Sequence, residues 1–172
     1  MKLFGISHKG NSGFSLIELI ITIAIMGIVM SIATINFQSW QTKNWMEAQL
    51  RGILVDLNEA RTNSFTQKIN HSITFQPDSY VLKNYSSDNE PRSAGRTITS
   101  KKLRYGITKK SNSNLAASIA NEFVEFDSRG LASNSFTIIM NPLETDVAVN
   151  CLVVFDTRMN LGKVNGTECA FK

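Results

Sequence analysis

An α+β fold, with a long N-terminal helix packed on a C-terminal antiparallel β domain, is what the sequence predicts, and three observations predict it. From Phe14 to Ile35 there are 22 residues with one charge, Glu18. From Gln38 to Lys68 there is no proline and one glycine, Gly52, so nothing stops the helix from continuing. After Asn70 the apolar period shortens to two, and short alternating segments are separated by turn residues. The chain has 172 residues, which leaves room behind such a helix for about one small domain. The expected divisions are a leader at 1–13, an apolar helix at 14–35, its amphipathic continuation at 36–68 and the β domain at 69–172.

The leader is short and polar, with Lys2, His8 and Lys9 ahead of the apolar run. Positive charge there holds the N-terminus in the cytoplasm and sends the C-terminal part across the membrane. At about 1.5 Å per residue, the run from Phe14 to Ile35 matches the ~30 Å hydrocarbon core of a bilayer. Glu18 sits four residues inside it, where a lone carboxylate costs on the order of 2.5 kcal/mol or more, so a positive partner is expected. The run is longer than the core of an ordinary secretory signal and ends in Ile35-Asn36-Phe37-Gln38, without the small residues a signal peptidase needs. An uncleaved single-pass anchor is one reading of it.

In the continuation, Met46, Leu50, Ile53, Leu54, Leu57, Ala60 and Phe65 follow steps of three and four and predict one buried stripe. Trp40 and Trp45 fall just past the apolar run, where aromatic rings sit at a membrane interface or pack on neighbouring helices. Arg61 is placed to cover apolar surface with its stem. Ser72 to Phe75 and Tyr80 to Tyr85, joined by Gln76-Pro77-Asp78-Ser79, read as a hairpin. Residues 86–101 have loop composition. Lys101, Lys102, Arg104, Lys109 and Lys110 surround an expected strand at Leu103 to Thr108 and read as a charge-protected edge. A polar connector, Ser111 to Ser118, leads to strands at Glu122 to Phe126, Phe136 to Met140 and Cys151 to Phe155, for about six or seven in all.

Cys151 and Cys169 are too few for a metal site and suit one bridge enclosing 17 residues, hence an oxidising compartment; a pair of buried thiols is the alternative. Losing Lys2 and Lys9 takes the net charge from +4 to +2, and basic residues are interspersed with acidic ones, which gives weak grounds for a polyanionic partner. No metal-ligand spacing, glycine-rich phosphate loop or nucleophile–base set occurs, no cofactor is implied, and His71 is the one histidine outside the leader. The chain is not expected to be an enzyme.

Gly13-Phe14-Ser15-Leu16-Ile17-Glu18-Leu19, after a short basic leader and before an unbroken apolar helix, resembles the processing site of type IV pilins and of the pseudopilins of type II secretion. That resemblance implies a pilin-like fold, cleavage after Gly13 by a prepilin peptidase, and methylation of the new N-terminus at Phe14. It also implies pairing of Glu18 with the N-terminal amine of the next subunit, which would neutralise the carboxylate and fix the stagger between helices. The implied partners are the peptidase, other pilin or pseudopilin subunits, an inner-membrane assembly platform and the membrane. The implied location is the bacterial inner membrane, with the β domain in the periplasm, and then a filament. Leu54-Val55-Asp56-Leu57-Asn58-Glu59-Ala60-Arg61, Phe126-Asp127-Ser128-Arg129-Gly130 and the closing segment from Cys151 to Cys169 are similar to the GspH/FimT branch. This implies a minor pilin, with a secretion pseudopilin as the alternative. Some FimT-like proteins implicated in DNA uptake carry glycine-arginine-any-arginine in the last hairpin. Here those positions read Gly162-Lys163-Val164-Asn165, so only a weak DNA contact by Lys163 and Arg158 is expected.

Overall fold

The computed structural model describes residues 13–87, 90–91, 93–144 and 146–171, without the side chains at 32–36. The expected leader, apart from Gly13, therefore lies outside the described residues, as do the side chains at the end of the expected apolar span. The chain divides into two compact units, Met1–Trp40 and Gln41–Lys172. One helix, α1 (Leu16–Gln67, 52 residues), contributes to both.

In the first unit α1 is apolar all round. Ile17, Leu19, Ile20, Ile21, Ile23, Ile25, Met26, Ile28 and Val29 are all exposed. A helix with no polar face is one that other apolar groups must cover. Thr22 Oγ1 donates to the Leu19 carbonyl at 2.8 Å and Ser31 Oγ to that of Gly27 at 2.9 Å. These hydroxyls are satisfied within the helix and need no outside partner. Among the described residues, no helix is long and apolar enough to cross a membrane; the expected span at 14–35 runs into positions 32–36.

In the second unit α1 buries Met46, Leu50, Ile53, Leu57 and Ala60. The same four-three stepping lands next on Ser64, fully buried, and leaves Phe65 55% exposed, correcting its expected place in the stripe. Lys68 takes a left-handed conformation, φ 58°, and ends the helix without a glycine.

Ten strands follow. β1 (His71–Gln76), β2 (Ser79–Asn84), β3 (Arg96–Lys102) and β6 (Glu122–Phe126) form a four-stranded antiparallel sheet in the order β3-β2-β1-β6. β4 (Gly106–Ser111), β5 (Asn114–Ala117), β7 (Phe136–Asn141), β8 (Cys151–Val154), β9 (Met159–Asn165) and β10 (Glu168–Phe171) form a six-stranded antiparallel sheet in the order β10-β9-β8-β7-β4-β5. One core joins the helix stripe to Ile73, Phe75 and Val124 of the first sheet and to Ile107, Ile138, Met140 and Leu152 of the second. Lys109 of β4 pairs with Glu122 of β6 and so ties the two sheets by charge as well.

Three of the sequence expectations are corrected. β3 lies mostly inside the segment read as loop. It is an edge strand exposed along nearly its whole length, so no apolar alternation announces it. β5 lies inside the expected polar connector for the same reason. β4 starts at Gly106, not Leu103. Leu103 N and Ile107 N donate to the Asp78 and Pro77 carbonyls, and the Gln49 side chain accepts from Arg104 N at 2.9 Å and Tyr105 N at 3.0 Å, so this backbone is held from outside the six-stranded sheet.

Candidate functional site

The N-terminal candidate is Gly13-Phe14-Ser15 with Glu18. Residues 13–15 are non-helical and α1 begins at Leu16, so the Gly13–Phe14 peptide bond lies just outside the helix. A Cβ built on Gly13 meets nothing within 4 Å, and Phe14 is 82% exposed. That is the open backbone a protease requires. Glu18 stands in the first turn, where the partial positive charge of the helix terminus favours a carboxylate. Ser15-Leu16-Ile17-Glu18 also has the spacing of a capping box, a local signal the sequence reading passed over. Among the described residues none pairs with the Glu18 carboxylate, which is exposed on the apolar helix.

The C-terminal candidate is the closing hairpin. Cys151 of β8 and Cys169 of β10 form a disulfide with Cα atoms 6.1 Å apart. β9 lies between those two strands, and Cys151 is in register with Gly162 of β9. A Cβ on Gly162 would come within 2.7 Å of Cys169 Sγ and 2.5 Å of the Ala170 carbonyl oxygen. The bridge therefore passes where a side chain at 162 would stand. Asn150 fastens the same region, accepting from Val164 N at 2.7 Å and donating to the Glu144 carbonyl at 2.8 Å.

The two residues expected to touch DNA are on this hairpin but do not form a basic patch. Asp146 is held below its usual range, first by its hydrogen bond and charge contact with Lys43, with Lys163 adding to the effect from nearby. Lys163 thus has an acid within electrostatic reach. The Arg158 guanidinium lies 5.2 Å from the centroid of the Phe155 ring, which packs edge-on against Phe171.

Two polar clusters fix the helix to the sheets and were missed in the sequence, where each member looks like an ordinary surface residue. Asp56 is buried on α1; Tyr80 donates to it and the Lys101 ammonium contacts its oxygens at 2.7 and 2.8 Å. Burial pushes the Tyr80 phenol far above its ordinary value, and the hydrogen bond and charge of Asp56 push it further. Lys101, expected as part of a solvated basic edge, is thus the counter-ion of a buried acid. His71, 2% exposed, shares a hydrogen bond of 3.2 Å with Ser64 through Nδ1, and burial lowers its pKa although the Ile69 carbonyl opposes this.

Arg61 donates from Nε to the Gly130 carbonyl at 2.9 Å. This joins two segments that the sequence reading had singled out separately. Asp127 shapes that turn by accepting from Arg129 N and Leu131 N, each at 2.9 Å. Burial raises the Asp127 carboxyl, but the Leu131 hydrogen bond and the contacts with Arg129 outweigh it and hold the group below its usual range. Among the described residues no group of histidine, cysteine, aspartate and glutamate could hold a metal ion.

Compared with known protein families, residues 8–34 match the prokaryotic N-terminal methylation motif. The match spans Gly13, Phe14 and Glu18 and supports a pilin- or pseudopilin-type protein processed by a prepilin peptidase and assembled with other such subunits. No curated protein and no solved structure matches the chain.

Proposed function

We propose that this chain is a minor pilin of the GspH/FimT type. The prepilin peptidase cuts it after Gly13, Phe14 becomes the methylated N-terminus, and the mature subunit enters a type IV pilus, priming assembly or standing near the tip. The observation that carries this reading is the methylation motif at residues 8–34, set on a helix whose apolar side chains are exposed on all sides. Before assembly that helix is held in the inner membrane, with the β domain in the periplasm, where the Cys151–Cys169 bridge is stable. In the filament, neighbouring helices replace lipid, and Glu18 pairs with the amine of the next Phe14. That contact offsets the cost of a carboxylate in an apolar bundle and sets the helical stagger.

A pseudopilin of type II secretion would use the same helix and leader. The paired cysteines favour the pilus modestly. A DNA-binding tip role draws little support from the hairpin, because Asp146 lies within electrostatic reach of Lys163 and Arg158 lies against Phe155. Deleting the gene in cells that have both systems tests the choice. Loss of surface pili with normal secretion is expected; lost secretion with normal piliation would overturn the pilus assignment in favour of the pseudopilin.

A further inference from the structure

We propose that the cavity beside Arg61 is a carboxylate-binding site, separate from the N-terminal residues on which the assembly reading rests. The cavity measures about 310 Å³ and is lined by Arg61, Thr62, Phe65, Arg129 and Gly130. Arg61 reaches it from α1, half-buried, with its Nε committed to the Gly130 carbonyl at 2.9 Å. That bond fixes the guanidinium plane and leaves the two terminal amino groups, which no described residue engages, as a preset fork. A fork of this kind matches the two oxygens of a carboxylate.

The surroundings select the charge and shape of the ligand. Arg129 stands on the facing turn, held by Asp127 with Nε at 2.9 Å from its oxygen. Lys68 lies 4.1 Å above the centroid of the Phe65 ring, a wall of the cavity, and donates to the Ser128 carbonyl at 3.3 Å. The site is therefore positive, but Asp127 cancels part of Arg129, and α1 ends nearby at Gln67 with its carbonyls carrying partial negative charge. A monoanion suits that balance better than a dianion. A second cavity shares Arg129 but is also lined by Glu125, Asp127 and Asp156, whose charge disfavours an anion there. The exposed Phe65 ring adds an apolar contact for whatever carries the carboxylate.

The test is an NMR titration of the full chain in detergent micelles, following the Arg61 Nε–H resonance. Acetate, acetyl-glutamate amide and inorganic phosphate are added at ionic strength matched with sodium chloride. Saturable shifts with both carboxylates, and weaker binding of phosphate, are expected. Tighter binding of the glutamate derivative than of acetate marks a protein-borne carboxylate as the ligand, and the reverse order marks a free small acid. Arg129→Gln, with its fold checked by circular dichroism, is expected to weaken acetate about threefold or more. Arg61→Lys keeps the charge but loses the fork and the Nε–H reporter; followed through the backbone amide of Gly130, which lines the same cavity, it is expected to abolish saturation. Shifts that chloride reproduces, equal binding by the Arg129→Gln chain, or phosphate binding tighter than acetate would overturn the proposal.

Discussion

A Cβ atom placed on Gly162 would lie 2.7 Å from the Cys169 sulfur, so the disulfide of the closing hairpin and the glycine of the strand beneath it are a single steric arrangement. Gly162→Ala must move either the bridge or the Ala170 carbonyl, a backbone group with little freedom. Overpacking of this kind costs about 1–3 kcal/mol. Chemical denaturation of the oxidised protein is expected to show that loss.

The bridge itself encloses 17 residues. In the chain-entropy view a loop of that size stabilises the folded state by about 3 kcal/mol. Replacing both Cys151 and Cys169 with serine is expected to lower the denaturation midpoint accordingly. Because Asn150 still holds β9 through Val164 N, the far-ultraviolet circular dichroism should stay unchanged.

Buried Asp56 depends on Lys101 and Tyr80. Lys101→Met leaves a buried carboxylate short of its half-exposed counter-ion and is expected to destabilise by about 1–3 kcal/mol. Tyr80→Phe removes one hydrogen bond and is expected to cost about 1–3 kcal/mol. Asp56→Asn combined with Lys101→Met should recover part of the loss, which a double-mutant cycle in denaturant measures directly.

His71 gives the fold a pH dependence with a definite sign. Its folded pKa lies below the ordinary value of 6.5, so the unfolded chain takes up the proton first as pH falls. The contribution is fully present above about pH 6.5 and is lost as pH drops toward the folded value. Denaturation between pH 7.5 and 5 is expected to show falling stability, with a smaller slope for His71→Gln. Tyr80 acts at the opposite end. Its raised folded pKa gives stability that is present below about pH 10 and lost as pH rises above it.

The features that could be read in the sequence are those with a strong local signal. The unbroken helix, the β1–β2 hairpin around Pro77-Asp78 and the alternation of Glu122 to Phe126 all carry periodicity or turn chemistry that survives folding. What escaped has its cause elsewhere in the chain. β3 and β5 are edge strands that bury almost nothing, so their composition matches a loop. Phe65 looks like a core residue until the step from Ala60 is counted to Ser64. Gly162 reads as the first letter of a basic motif, and only the crossing of the disulfide explains why no side chain stands there. Asp56 and Lys101 are 45 residues apart, and no local pattern links them.

The proposed assembly role of Glu18 is tested by Glu18→Ala. The substitution removes the one charge of the apolar run and should leave membrane insertion intact. Recovery of the chain in sheared filaments is expected to fall about tenfold or more, consistent with losing a charge contact in an apolar bundle. Unchanged recovery would remove Glu18 from the assembly contact.

The most direct measurement is mass spectrometry of the N-terminal peptide of the protein isolated from membranes of cells that contain a prepilin peptidase. The expected peptide begins at Phe14 and carries one added methyl group on its amine. A chain that keeps Met1 to Gly13 under those conditions would contradict processing at Gly13, and with it the pairing of Glu18 to a neighbouring N-terminus.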